Sequence, residues 1–176
     1  IETCHGINGC IVMSMLNADN NPHSDPASFA LLYLGETRLL VPQQDIRLLE
    51  LVDDVERVKP LPCAVGWITY RQQRAPVFSL SPRLEWQLDA DKNYTICVLL
   101  EDRGHYFGLL CGEVAILQAE KIVFHDVPLA MRSLRSPFNR LAMCGDMPAC
   151  VSSSALLKDY LPPMDEPDDH RLGGEF

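Results

Sequence analysis

Seven cysteines, five histidines and a Ser152-Ser153-Ser154 run are the groups in this chain whose types suit covalent or metal chemistry. The cysteines are Cys4, Cys10, Cys63, Cys97, Cys111, Cys144 and Cys150. An odd count without C-x-x-C spacing argues against a disulfide framework and against a zinc knuckle. Cys4, His5 and Cys10 come nearest to a metal cluster, but they lack a fourth ligand of suitable spacing. Cys97, Cys111 and Cys144 sit inside apolar runs, where a thiol packs as a small hydrophobe. His105 and His125 lie in strand-like segments and belong to no short-spaced motif. A Cys97–His105 pair meeting across strands reads as two core residues before it reads as nucleophile and base. The serine run lacks the Gly-x-Ser-x-Gly turn that exposes a nucleophile, and the isolated turn glycines Gly35 and Gly104 make no phosphate cradle. The expectation is a protein that binds and does not catalyse, with no metal, no cofactor and no disulfide.

Binding chemistry is better represented. Arg71 ends an apolar strand and is followed by uncharged Gln72 and Gln73, and arginine is enriched at binding hot spots. The competing reading is a solvated strand end, or an internal ion pair with Asp53, Asp54 or Glu56. Trp67 lies four residues earlier. Pointing inward it is core, and pointing outward it enlarges an apolar docking surface beside Gly66.

The elements that must position these residues are short strands. Ala64 to Tyr70 and Val77 to Leu80 read as a hairpin, with Pro76 requiring an edge or a bulge in the second strand. Before it, Phe29–Leu34 and Thr37–Val41 form a hairpin about Gly35-Glu36. A helical turn opens at Pro42, and Ile46–Val52 is a further strand. Val58 to Pro62 is extended, because each residue before a proline is pushed out of the helical region. After it, Ser81-Pro82 opens a short helical turn through Trp86, and Gln87–Asn93 is the expected lobe boundary. Tyr94–Leu100, His105–Cys111, Val114–Leu117, Leu141–Cys144 and Ala149–Val151 supply later strands. A helix over about 153–161, capped by one of the three serines, ends before Pro162-Pro163 with Leu157 and Leu161 on its packing face. Many short strands with few helices mean an all-β protein.

Charge and composition set the compartment and exclude some partners. The formal charge is −9, with three acids and no base in residues 1–28 and five acids and one base in 162–176. Residues 29–161 are nearly neutral, and their bases form no run, which argues against nucleic acid and against an anionic membrane surface. No apolar run reaches the length that spans a bilayer, so no membrane insertion is expected. Cys10–Leu16 is short and has no preceding base, a poor signal peptide, so the default is cytoplasmic. Residues 1–28 are read as a flexible segment, with Met13 and Met15 as candidate natural starts, and 162–176 as an acidic flexible tail.

The pattern Gly66-x-Ile68-x-x-Arg71-x-x-x-x-Pro76-Val77-x-x-Leu80 resembles the central hairpin of CheW-like domains, the adaptors of bacterial chemosensory arrays. The family's Gly after the Arg is Gln72 here, its Asn is Thr69, and its Asp before the final Leu is Ser79. Pro42 and Ile46 match the family's Pro-Leu-x-x-Val segment, with Leu48 where the family has Glu. Gly108, Leu109, Leu110 and Val114 match its second half, with Gly112-Glu113 in place of Asp-Gly. The resemblance covers about residues 29–161 and implies two five-stranded SH3-like barrels side by side, one over about 29–86 and one over about 94–151. It implies a non-catalytic adaptor that links chemoreceptor cytoplasmic tips to the regulatory domain of a CheA-like histidine kinase, or modulates that link, in an accessory member. Ile46, Arg47, Gly66 and Arg71 fall on the receptor-facing side by this resemblance, with Leu48 and Trp67 beside them, and Leu110 and Gly112 on the kinase side. The alternatives are a small-molecule-binding or enzymatic β-barrel unrelated to chemotaxis, and an assembly scaffold that has lost its kinase.

Overall fold

Strands alternate with tight turns along the chain, and the computed structural model describes residues 26–58, 63–133 and 135–161. The first hairpin is β1 (Ser28–Leu34) with β2 (Thr37–Pro42), and a 3-10 turn at Gln43–Asp45 leads into β3 (Ile46–Leu51). Then come β4 (Gly66–Tyr70), β5 (Gln73–Leu80), the short β6 (Trp86–Gln87), β7 (Ile96–Asp102) and β8 (His105–Cys111). The chain closes with β9 (Glu113–Gln118), β10 (Ile122–Asp126), β11 (Arg140–Cys144), β12 (Met147–Val151) and the helix α1 (Ser154–Tyr160). This is a mostly β fold of two lobes.

The strands make two sheets. The first has the order β10-β11-β12-β2-β1-β9; the second has the order β3-β7-β8-β5-β4, with β6 added on β5. Each sheet has six strands where five were expected. The expected break at Gln87–Asn93 does not separate the sheets. β7 and β8, beyond it, pair with β3 and β5, while β1 and β2 join β9 to β12.

That exchange follows from the composition of the first hairpin. A strand alternates its side chains between two faces, and β1 and β2 are apolar on both. Phe29, Leu31 and Leu40 face one core with Ile122, Ala142, Cys144 and Val151. Ala30, Leu32, Leu34, Leu39 and Val41 face the other with Val77, Phe78, Leu99 and Leu109. The hairpin is therefore the wall between two cores. Its five leucines and Val41 are fully buried, and each such side chain contributes roughly 1.5–3 kcal/mol relative to exposure.

The chain crosses between sheets at two places. The 3-10 turn at Gln43–Asp45 carries it from β2 to β3, and Gly112 carries it from β8 to β9. Gly112 donates its N–H to Tyr33 O at 2.9 Å and accepts from Thr95 Oγ1 at 3.0 Å, which ties the two sheets at the crossing.

α1 locks the second sheet. Ser153 caps it, its Oγ accepting from Leu156 N at 3.2 Å, and Asp45 accepts from Ser154 N at 2.8 Å. Lys158 reaches Asp102 at 3.1 Å, Trp86 donates to Tyr160 O at 3.1 Å, and Leu157 and Leu161 enter the core as expected. The segment after Ser81 is not the expected helical turn. Ser81 Oγ accepts from Arg83 N and Glu85 N, and Leu84 has φ +61, so the chain reverses into β6 instead. The expected flexible ends and most of the extended Val58–Pro62 run lie outside the described residues, as do Cys4, His5 and Cys10.

Candidate partner-binding surface

The β4–β5 hairpin carries the strongest candidates, and its turn is unusual. Tyr70 pairs with Gln73, leaving Arg71 and Gln72 as a two-residue loop. Both have positive φ, +47 and +67, the backbone of a type I′ turn, which favours Asn-Gly because side chains fit it poorly. Arg71 is exposed at this tip. Its guanidinium lies 5.2 Å from the ring centroid of Tyr70, and Tyr70 meets Tyr106 edge-on at 5.2 Å. Among the described residues no carboxylate forms an ion pair with Arg71. The internal pair with Asp53, Asp54 or Glu56 is not formed; Glu56 pairs with Arg74 at 2.7 Å instead.

Trp67 faces outward, between buried Gly66 and Ile68. The Arg74 guanidinium covers its ring at 4.8 Å from the centroid, so the inward reading fails. Gly66 is structural. Glu56 and Trp67 exchange two backbone hydrogen bonds of 2.8 Å, and a Cβ on Gly66 would lie 2.5 Å from Glu56 O and 2.7 Å from Val55 Cγ1. Pro76 is tolerated inside the sheet for a related reason. Counted outward from the turn, hydrogen-bonded pairs fall at Tyr70–Gln73, Ile68–Ala75 and Gly66–Val77, so the Pro76 nitrogen points away from β4. On that other side the parallel ladder to β8 begins only at Val77.

β3 is the outer strand of the second sheet, and its side chains do not alternate regularly between the two faces. Its register slips at Arg47, a bulge, which places Ile46 and Leu49 on one face and Leu48 and Glu50 on the other. Ile46 and Leu48 pack against the core. The Arg47 guanidinium is committed inside the chain, to the Glu101 carboxylate and to the carbonyls of Gln44 and Ile46. The exposed apolar residues of this strand are Leu49 and Leu51, the latter 62% exposed. The sequence analysis singled out Ile46, Arg47 and Leu48 of this strand and missed Leu49 and Leu51, because the register slip that decides the faces has no sequence signal.

The second-lobe candidates also separate. Leu110 is buried in β8, opposite Ser79 and Cys97. It holds the core and offers no surface to a partner. Gly112 is half-exposed at the crossing between sheets, with its N–H and carbonyl both engaged.

No group of side chains assembles for catalysis at these positions. Burial pushes the Cys97 and Cys111 thiols up to about 12, so both stay protonated packing groups. His105 pairs with Asp102 at a hairpin end while Cys97 pairs with Leu110, so the weighed Cys97–His105 pair does not form. The five cysteines among the described residues are free thiols. Among those residues no cluster of His, Cys, Asp and Glu is arranged to hold a metal, and no helix is long and apolar enough to cross a membrane.

Two β-sheets built around a shared hairpin, with an arginine-bearing turn and an outer strand of exposed leucines, define a two-lobed, β-rich module. A family model of the CheW-like domain matches residues 28–122, more than half of the chain, and the chain belongs to the CheW-like domain family. No curated protein matches it in sequence. Among solved structures, the scaffolding protein TtCheW from Thermoanaerobacter tengcongensis superposes with a TM-score of 0.54 at 20% identity, covering 72% of this chain and 88% of that one. That likeness shows the fold.

Proposed function

We propose that the chain is a non-catalytic adaptor of a bacterial chemosensory system, binding chemoreceptor tips, a CheA-like histidine kinase, or both. The observation that carries the reading is the CheW-like match over residues 28–122, which contains β1 to β9 and so the whole candidate surface. The Arg71–Gln72 tip supports it. Two side chains in left-handed backbone are held at a cost to stability, and such strain tends to collect where a site must be presented. On this reading Arg71 is the anchor, with Trp67 and Arg74 on the same hairpin, and exposed Leu49 and Leu51 of β3, at the other end of the sheet order, offer a second contact surface. Ile46, Leu48 and Gly66 shape the surface from beneath, and Arg47 and Gly112 fix its frame. The module works in the cytoplasm, holding partners in fixed geometry through its sheet surfaces.

The test is recovery of partners from native cytoplasm on the immobilised chain. A chemoreceptor or a CheA-like kinase retained by wild type and lost from Arg71→Ala supports the adaptor reading. Recovery of neither overturns it.

A further inference from the structure

The first sheet changes character across its width on the face turned to the core it shares with the second sheet. The registers carry one row of side chains over four strands, from Leu39 to Cys150 to Leu141 to His125. A second row on the same face runs from Pro148 to Met143 to Val123. Leu39 is fully buried in the shared core, but the cover stops there. Cys150, Leu141 and Met143 are only half-buried, Pro148 is exposed, and Val123 is 59% exposed. A groove of about 400 Å³ lies along these rows, walled by His125, Leu141, Met143, Pro148 and Cys150, with Glu36 of the first turn its one carboxylate. Apolar surface left to water costs free energy in proportion to its area, and a contiguous bare patch of it marks a docking site.

The chain carries a segment of matching chemistry ahead of β1. Cys10-Ile11-Val12-Met13-Ser14-Met15-Leu16 has six apolar residues in seven and no charge, whereas residues 162–176 carry five acids and one base. The acidic end suits water; the uncharged run suits an apolar ledge. Left bare, a seven-residue run of this kind is an aggregation hazard. The tether is long enough. From Ser28 the nearest part of the ledge, Leu141, is three strands across and four residues along, about 20 Å at ordinary sheet spacings. The twelve residues from Leu16 to Ser28 span up to about 40 Å. We propose that residues 10–16 dock on this ledge, laying their apolar side chains against Val123, Leu141 and Met143 and extending the cover that stops at Leu39. Held on its own chain, the segment is always at high effective concentration. This goes beyond the adaptor reading and does not depend on it, since no ledge residue belongs to the β3 or β4–β5 surface.

The experiment is methyl NMR on the full chain, with the Ile, Leu, Val and Met methyls labelled. The expected result is a set of NOEs from the Val12 or Met13 methyls to those of Val123 and Met143, with line positions unchanged over about a hundredfold dilution. In a sample mixed from labelled and unlabelled chains, these contacts should be missing from the intermolecular spectrum. Val12→Asp alters the segment and Met143→Asp alters the ledge, and each should remove the contacts. The Leu49 and Leu51 methyls on the second sheet should stay in place and report that the fold is kept. Absence of any contact between the two sets of methyls overturns the proposal and leaves the ledge to a separate partner. Contacts found only between chains overturn it in favour of a second copy. Contacts that persist in both variants overturn it too, because apolar complementarity would then not be what holds the segment.

Discussion

Four hairpins among the described residues turn on two residues, and one of them lacks the glycine that the others carry. The β1–β2, β7–β8 and β11–β12 turns each place a glycine at positive φ, at Gly35, Gly104 and Gly145. The β4–β5 turn places Arg71 and Gln72 there instead. Glycine occupies left-handed backbone without penalty, whereas a side chain there costs energy. The β7–β8 turn sets Arg103 at φ +49 beside its glycine, so one left-handed position there carries a side chain, and only the β4–β5 turn fills both positions with side chains. The β4–β5 turn gives up the glycine altogether and holds exposed Arg71 at its tip, the residue on which the proposed adaptor role rests.

The comparison makes graded predictions, beginning with the residues that belong to architecture. Leu110→Ala should destabilise the chain by about 3 kcal/mol in denaturant unfolding, the usual cost of truncating a fully buried leucine. A loss below 1 kcal/mol would return Leu110 to the list of surface candidates. Gly66→Ala should cost about 2 kcal/mol, because the obstacle to its Cβ is the Glu56 carbonyl, which cannot swing aside like a side chain. An unchanged melting temperature would show that the segment at Val55–Glu56 moves freely.

Gln72→Gly has the opposite sign. It supplies the glycine that the other turns possess and should stabilise the chain by about 1 kcal/mol. If stability falls, the Arg71–Gln72 backbone is not strained and the contrast between the turns has no energetic content.

Asp45 gives a smaller, pH-dependent effect. Burial raises its folded-state pKa above the ordinary 3.8, against the hydrogen bond from Ser154 and the charge of Arg47, which lower it. A carboxylate with a raised folded pKa contributes stability that is present below the unfolded value and is lost as pH rises through the folded one. The stability of wild type relative to Asp45→Asn should therefore decline as pH climbs from the ordinary carboxylate range toward neutrality. A difference that grows over that range would mean that the hydrogen bond at the start of α1 outweighs desolvation.

Much of this architecture was legible in the sequence, because local patterns decide strands and caps. His105–Cys111 is a strand with the expected bounds, and the serine-capped helix sits where Leu157 and Leu161 require it. The pairing of the first hairpin with β9 and β12 was not legible. Apolar residues on both faces of β1 and β2 announce double burial, but they do not say which later strands provide the cover. The bulge at Arg47 was hidden because nothing in Ile46–Leu51 marks the slipped register. Among the candidates, Arg71 and Trp67 stood out by type and position. Gly66 and Leu110 were picked out by their resemblance to the family pattern, yet their packing depends on neighbours distant in sequence.

The central claim is that Arg71 is held out for a partner, and one pair of measurements on Arg71→Ala addresses it. Unfolding and association are followed on the same preparation, with the receptor tip or kinase recovered from native cytoplasm as ligand. The account predicts a change in stability of only a few tenths of a kcal/mol together with association weakened by roughly 1–3 kcal/mol. A large loss of stability with unchanged affinity would contradict it and make Arg71 one more part of the fold.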